Sequence, residues 1–108
     1  MRLVTCDQIT DAPVRQGAML HACAVSGANI LRDMRETITN TIGGEMTSYE
    51  TVLDKTVARA LKVLADRAES HGYDGVMDVK ISHPTITGGS IEVVVAGTGF
   101  NYVTPESA

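Results

Sequence analysis

Tryptophan is absent from this 108-residue chain, phenylalanine occurs once and tyrosine three times. With so few rings there is no aromatic platform on which bases stack, and the core must be built from Val, Ile, Leu, Met and Ala. Positive charge is also short: nine Lys and Arg stand against thirteen Asp and Glu, a formal net charge of −4, and the basic residues are scattered. That balance opposes a phosphate backbone, so nucleic acid is not an expected partner. No apolar run approaches the roughly 18 residues of a membrane span, and the start Met1-Arg2-Leu3-Val4-Thr5-Cys6-Asp7 lacks the apolar centre of a signal peptide. The expectation is a cytoplasmic protein with no membrane partner. There are only two cysteines, Cys6 and Cys23, and without an export signal they read as reduced thiols rather than a disulfide.

What is present suffices for one domain spanning 1–108, able to bury roughly two thirds of its unfolded surface. A short β-prone piece at 3–6 leads through a polar loop to Pro13, and the core runs from 14 to 103. From Val14 to Val25, Met19, His21, Cys23 and Val25 share one side and Leu20, Ala22 and Ala24 the other, a strand with apolar residues on both faces. Ser26-Gly27 ends it. Asn29 then caps a first helix whose Ile30, Leu31, Met34, Ile38 and Ile42 follow three-and-four spacing, closed by Gly43-Gly44.

The chain is organised around a second helix. Thr47 followed by Glu50 has the form of a capping box, and Gly72 supplies the stop. The 24 residues from Ser48 to His71 contain no Gly or Pro, which predicts a helix of about 36 Å. Its apolar arc, Tyr49, Val52, Leu53, Val57, Ala60, Leu61, Val63, Leu64 and Ala68, is wider than the roughly 100° stripe that one sheet requires. Beyond Gly72, Met77, Val79, Ile81 and His83 alternate with Asp78, Lys80 and Ser82. After a turn at Thr87-Gly88-Gly89-Ser90, the β-branched run Ile91 to Phe100 returns as the second strand of an antiparallel hairpin. The tail 104–108 should be loose. The fold class is therefore α+β, in the order β-α-α-β-β, with a small antiparallel sheet of three main strands on one long helix. Open sheet edges and a two-sided helix favour self-association.

Chemistry is sparse. His21 and Cys23 are two apart on a strand, so they share a face roughly 7 Å apart and offer two soft or borderline ligands for zinc or copper, with Cys6 able to join if its segment folds back. The commoner role for such residues is core and rim packing, and both readings stand. His71 at the end of the long helix fits its negative C-terminal end; His83, before Pro84, fits a surface or packing role. Gly43 and Gly44 lie beside a helix start where backbone N–H groups bind anions, yet Glu45 opposes a phosphate there. Neither a nucleotide-binding fingerprint nor a nucleophile elbow or triad is present, so no catalytic residue is assigned.

Gly27-Ala28-Asn29-Ile30-Leu31-Arg32-Asp33, Ile42-Gly43-Gly44, Tyr49-Glu50 and Ala96-Gly97-Thr98-Gly99, in that order, resemble the motifs of the YbjQ-like family of small bacterial and archaeal proteins, labelled as heavy-metal-binding domains. The resemblance covers about Val14 to Val103 and implies a dodecin-like subunit and a homopentameric ring. Glu45 departs from the basic residue that many members carry after the two glycines. In this light Asn29, Arg32, Asp33, Gly43, Gly44, Tyr49, Glu50, Gly97 and Thr98 are the family-motif and assembly residues, with Arg32 and Asp33 suited to ion pairs between subunits. The resemblance also implies a soft metal or a selenium species as ligand, and the sequence itself requires no cofactor. The leading expectation is a non-enzymatic homo-oligomeric binding protein with Cys23, His21 and Cys6 as candidate metal ligands. A structural or adaptor ring docking a protein partner is the alternative, and an enzyme with its site between subunits is a distant third.

Overall fold

The computed structural model describes residues 1–26, 45–84 and 90–104, with 45–49 described by backbone alone. Their elements are β1 (Arg2–Leu3), β2 (Val14–Ser26), α1 (Glu45–Ser70), β3 (Gly75–Ser82) and β4 (Ile91–Tyr102). The expected first helix with Asn29, Arg32 and Asp33 lies outside the described residues. So do Gly43, Gly44, the turn glycines Gly88 and Gly89, and residues 105–108.

The strands form one sheet in the order β1-β3-β4-β2. β4 holds an interior place with antiparallel neighbours on both sides, as its β-branched run favours. β1 joins β3 in parallel, Arg2 opposite Gly75 and Leu3 opposite Val76. The wholly antiparallel sheet of three main strands is thereby corrected to a four-stranded mixed one. Regular pairing of the N-terminal piece stops at Leu3 rather than residue 6, and the cause is a bulge in β3. Between Met77 and Lys80 the register with β4 shifts, and Asp78 adopts φ +53°, a left-handed conformation that Asp tolerates better than most residues. The N-terminal segment follows the bulge by single hydrogen bonds. Val4 N–H donates to Val76 O at 2.9 Å, Val79 N–H to Val4 O at 3.0 Å and Asp78 N–H to Cys6 O at 2.8 Å.

The helix packs on one face of this sheet. Val52, Thr56, Ala60, Leu64 and Ala68 are buried, and because each step of four residues advances about 40° around the axis, the buried line winds as it crosses the twisted sheet. Leu53, Val57, Leu61 and Val63 flank it, partly buried. The arc is thus graded, with a narrow core line and half-covered shoulders. Beneath it lie Leu20, Ala22 and Ala24 of β2, Val76 and Val79 of β3, and Ile91, Val93 and Val95 of β4. Thr56, the polar member of the line, donates to Val52 O at 2.7 Å and pairs with the buried Ser26 hydroxyl at 2.6 Å, so no polar atom there is stranded.

The two helix ends met their expectations differently. α1 is already helical at Glu45, so Thr47 sits inside the first turn and the proposed capping box with Glu50 is not the helix start. Local capping grammar is satisfied by that spacing, but a cap needs a non-helical backbone that Thr47 does not have. The stop is closed by Gly72 as expected, with Ser70 the last helical residue, one short of the expected His71. Gly72 has φ +81°, its N–H donates to Glu69 O at 3.0 Å and Tyr73 N–H donates to Ala68 O at 3.0 Å, the pair of bonds that defines a Schellman ending. The His71 Nδ1–H also donates to Arg67 O at 2.8 Å, giving the helix terminus the contact expected of that histidine.

The Schellman turn delivers Tyr73 onto the sheet. Its ring lies where a Cβ at Gly17 or Gly99 would stand, and its hydroxyl accepts from Ala18 N–H at 2.7 Å, within the stretch where β2 slips register against β4 between Gln16 and Met19. At the same end, Arg2 clasps Asp11 through two hydrogen bonds of 3.2 and 3.0 Å and donates to the Tyr102 hydroxyl at 3.1 Å. Tyr102 in turn meets the fully buried Phe100 edge-on, at 5.5 Å between ring centres.

Four outcomes are expected in thermal and denaturant unfolding. Gly72→Ala should cost about 1–2 kcal/mol, the penalty of a left-handed residue with a Cβ, whereas Glu50→Ala, exposed and inside the helix, should stay within about 0.5 kcal/mol. Leu64→Ala should cost about 2–5 kcal/mol through the cavity it leaves. The Arg2 guanidinium holds the Asp11 carboxyl below its ordinary range. Its folded value therefore lies under the unfolded value of about 3.9, and the clasp stabilises above that pH and is lost as pH falls through the folded value. The melting temperatures of the parent and Asp11→Asn should differ at neutral pH and converge in acid.

Candidate functional site

Strand alternation decides what faces outward. In β2 the buried Leu20, Ala22, Ala24 and Ser26 look toward α1, and Met19, His21, Cys23 and Val25 between them are exposed on the opposite face. The register with β4 sets Met19 beside Thr98, His21 beside Ala96, Cys23 beside Val94 and Val25 beside Glu92. β3 adds Lys80 next to Ala96 and Ser82 next to Val94. The open face is therefore a three-strand strip with an apolar floor, Val94 and Ala96, and soft or polar groups along its β2 border.

The bulge at Asp78 shapes one end of this strip. It brings Asp78 and Lys80 together, Nζ to Oδ1 at 2.9 Å, and the Asp78 carboxylate raises the Lys80 ammonium's pKa. Met19, Asp78, Lys80, Ala96, Gly97 and Thr98 line a shallow depression of about 180 Å³ there. That is below the roughly 300–1,000 Å³ of ordinary small-molecule pockets, so the space suits an ion or a very small polar molecule.

The free side of β2 is engaged by α1 itself. Arg67 Nη1 donates to His21 O at 2.7 Å and Arg59 Nη2 to Val25 O at 2.6 Å. Eight helical residues rise about 12 Å and four strand residues about 13 Å, so two arginines two turns apart meet alternate outward carbonyls of an antiparallel strand. These arginines escaped sequence reasoning. Their two-turn spacing was visible, but only the helix-to-strand register shows what it matches. They also change the argument about open edges, because carbonyls that would accept a foreign strand already have charged donors.

Of the expected metal ligands, His21 and Cys23 are neighbours on the open face, both exposed. Cys6 is exposed too, but it lies beside β3 on the far side of the sheet, roughly 14 Å away by three strand spacings. It does not join them. Gly97 and Thr98 line the depression one row from His21, while Glu50 is exposed on α1 and His83 is exposed just beyond β3. Among the described residues, no three of His, Cys, Asp and Glu come together.

Among the described residues, one helix laid on a four-stranded mixed sheet, with ligand-type residues on the face opposite it, defines a small α+β domain. Residues 1–102 match the model of the YbjQ family, described as "Putative heavy-metal-binding", and the chain belongs to that family. It is similar to a UPF0145 protein of Synechococcus sp. (strain JA-3-3Ab), 35% identical over 99 residues that span 91% of this chain and 95% of the relative. A UPF0145 protein of Halobacterium salinarum is 29% identical over 99 residues, with 91% and 95% covered. In fold the chain is similar to a crystal structure from Pediococcus pentosaceus, a protein of unknown function in the DUF74 family, with TM-score 0.65, 14% identity and coverage of 94% and 97%. At that identity the likeness shows the fold alone.

Removing the arginines should expose the β2 edge. Arg59→Ala with Arg67→Ala is expected to increase concentration-dependent aggregation in light scattering, and each single change should cost about 1 kcal/mol, a typical hydrogen-bond value.

Proposed function

We propose that this protein is a non-enzymatic, cytoplasmic, self-associating binding protein that holds a soft metal or a selenium species on the sheet face opposite α1. The single observation that carries the reading is the exposure of His21 and Cys23 side by side on that face. A thiol and an imidazole are donors that soft and borderline metals prefer, and the family's heavy-metal label supports the same class. Self-association is supported by the exposed Met19 and Val25 bracketing the pair, 74% and 55% accessible. Burying the face against another copy removes that apolar surface from water, whereas strand addition at β2 meets the arginines. A ring of five remains the proposed assembly, on the family resemblance. Among the described residues no helix is long and apolar enough to cross a membrane.

The same exposed Met19 and Val25 favour a second reading, a structural or adaptor assembly that docks a protein partner and takes up no metal. Elemental analysis after challenge with Cu(I), Zn(II), Cd(II) or selenite, followed by gel filtration, separates the two. Stoichiometric uptake that disappears in the Cys6→Ser, Cys23→Ser double variant is the expected result, and absence of any uptake contradicts metal or selenium carriage. Light scattering should give a multiple of the 11.5 kDa chain mass; a stable monomer at micromolar concentration contradicts self-association.

A further inference from the structure

We infer that His21 and Cys23 form a two-coordinate site for a thiophilic monovalent ion of the Cu(I) class, complete within one chain and independent of Cys6. The inference rests on the metal-binding reading above and narrows it to an ion class, a ligand pair and a coordination number.

The chain has two cysteines and three histidines, and all five lie among the described residues. Cys6 is across the sheet, His71 is bonded to the end of α1 and His83 lies beyond the end of β3. Only His21 and Cys23 stand on one strand face two residues apart. No third His, Cys, Asp or Glu among the described residues completes a cluster, so the described residues bring two donors of these types together here, whereas structural zinc takes four. A closed-shell monovalent soft ion is satisfied by two donors in line, and thiolate is the ligand type that selects it.

Geometry agrees. Two residues along a strand place the side chains about 7 Å apart at their origins, and a sulfur–metal–nitrogen unit in line spans about 4.3 Å with bonds of about 2.3 and 2.0 Å. The imidazole nitrogens lie farther from Cβ than the thiol sulfur does, so a ring tilted along the strand closes the remainder. The backbone beneath is held on both sides of Cys23, by Arg67 at the His21 carbonyl and Arg59 at the Val25 carbonyl. An edge strand pinned in this way keeps its ligand spacing, which limits the ordering cost on binding. Binding replaces the thiol proton by the metal and releases that proton to solvent. The ion enters already reduced and no electron transfer is involved.

The test is an anaerobic titration of the full chain with Cu(I) under a thiol-free reductant, read by competition with a chromogenic Cu(I) chelator and by X-ray absorption for coordination number. One ion per chain with one sulfur and one nitrogen neighbour is expected. Cys23→Ser and His21→Ala should each weaken binding at least about a hundredfold, the upper range for losing even an outer-shell partner. Cys6→Ser and His83→Ala should leave it unchanged. Because both ligand positions are exposed, folding of the variants is checked by their melting curves. Binding that depends on Cys6, ignores His21→Ala, or takes one four-coordinate ion per two chains overturns this assignment while leaving metal carriage standing. Failure to bind any soft ion overturns both.

Discussion

Among the described residues, the exposure of one side of β2 follows from α1 covering the other side of the sheet. The buried line Val52, Thr56, Ala60, Leu64 and Ala68 meets Leu20, Ala22 and Ala24 of β2 and Val93 and Val95 of β4. Small residues on both sides let the helix sit close, and burial of this aliphatic interface is the main favourable term in so aromatic-poor a chain. Since side chains alternate along a strand, fixing the even positions of β2 under the helix fixes Met19, His21, Cys23 and Val25 on the other side. A register slip of one residue would bury His21 and Cys23 and expose the alanines. Core packing and ligand presentation are therefore the same constraint seen from two faces.

Three local devices hold that register. The Schellman ending at Gly72 aims Tyr73 onto Gly17 and Gly99, where only glycine leaves room for the ring. The two arginines tie α1 to the outer carbonyls of β2 in the opposite sense to the strand. The Asp78 bulge bends β3 so that the N-terminal segment can follow it as far as Cys6. This last device also explains why the two cysteines are kept apart, each on its own side of the sheet.

Much of this was legible in local sequence. The two faces of β2, the apolar positions of α1, the Gly72 stop and the β3–β4 hairpin all come from spacings of two, three and four residues. What was missed depends on distant parts of the chain. Parallel pairing of Arg2 and Leu3 with β3 joins residues more than seventy positions apart, which no local pattern encodes. Thr47 and Glu50 carry the right spacing for a cap, but helix propensity upstream carries the first turn back to Glu45. The separation of Cys6 from His21 and Cys23 is likewise a matter of strand order, so three plausible ligands in the sequence become two neighbours and one outlier in space.

The central claim is that α1 leaves one sheet face free to present His21 and Cys23 as a pair. Nuclear magnetic resonance of the full chain during titration with Ag(I), a redox-inert ion of the same class, tests it most directly. The account predicts that the His21 imidazole and Cys23 Cβ resonances shift together and saturate at one ion per chain, with Cys6, His71 and His83 unmoved. Shifts at Cys6, or movement of Cys23 without His21, would contradict it.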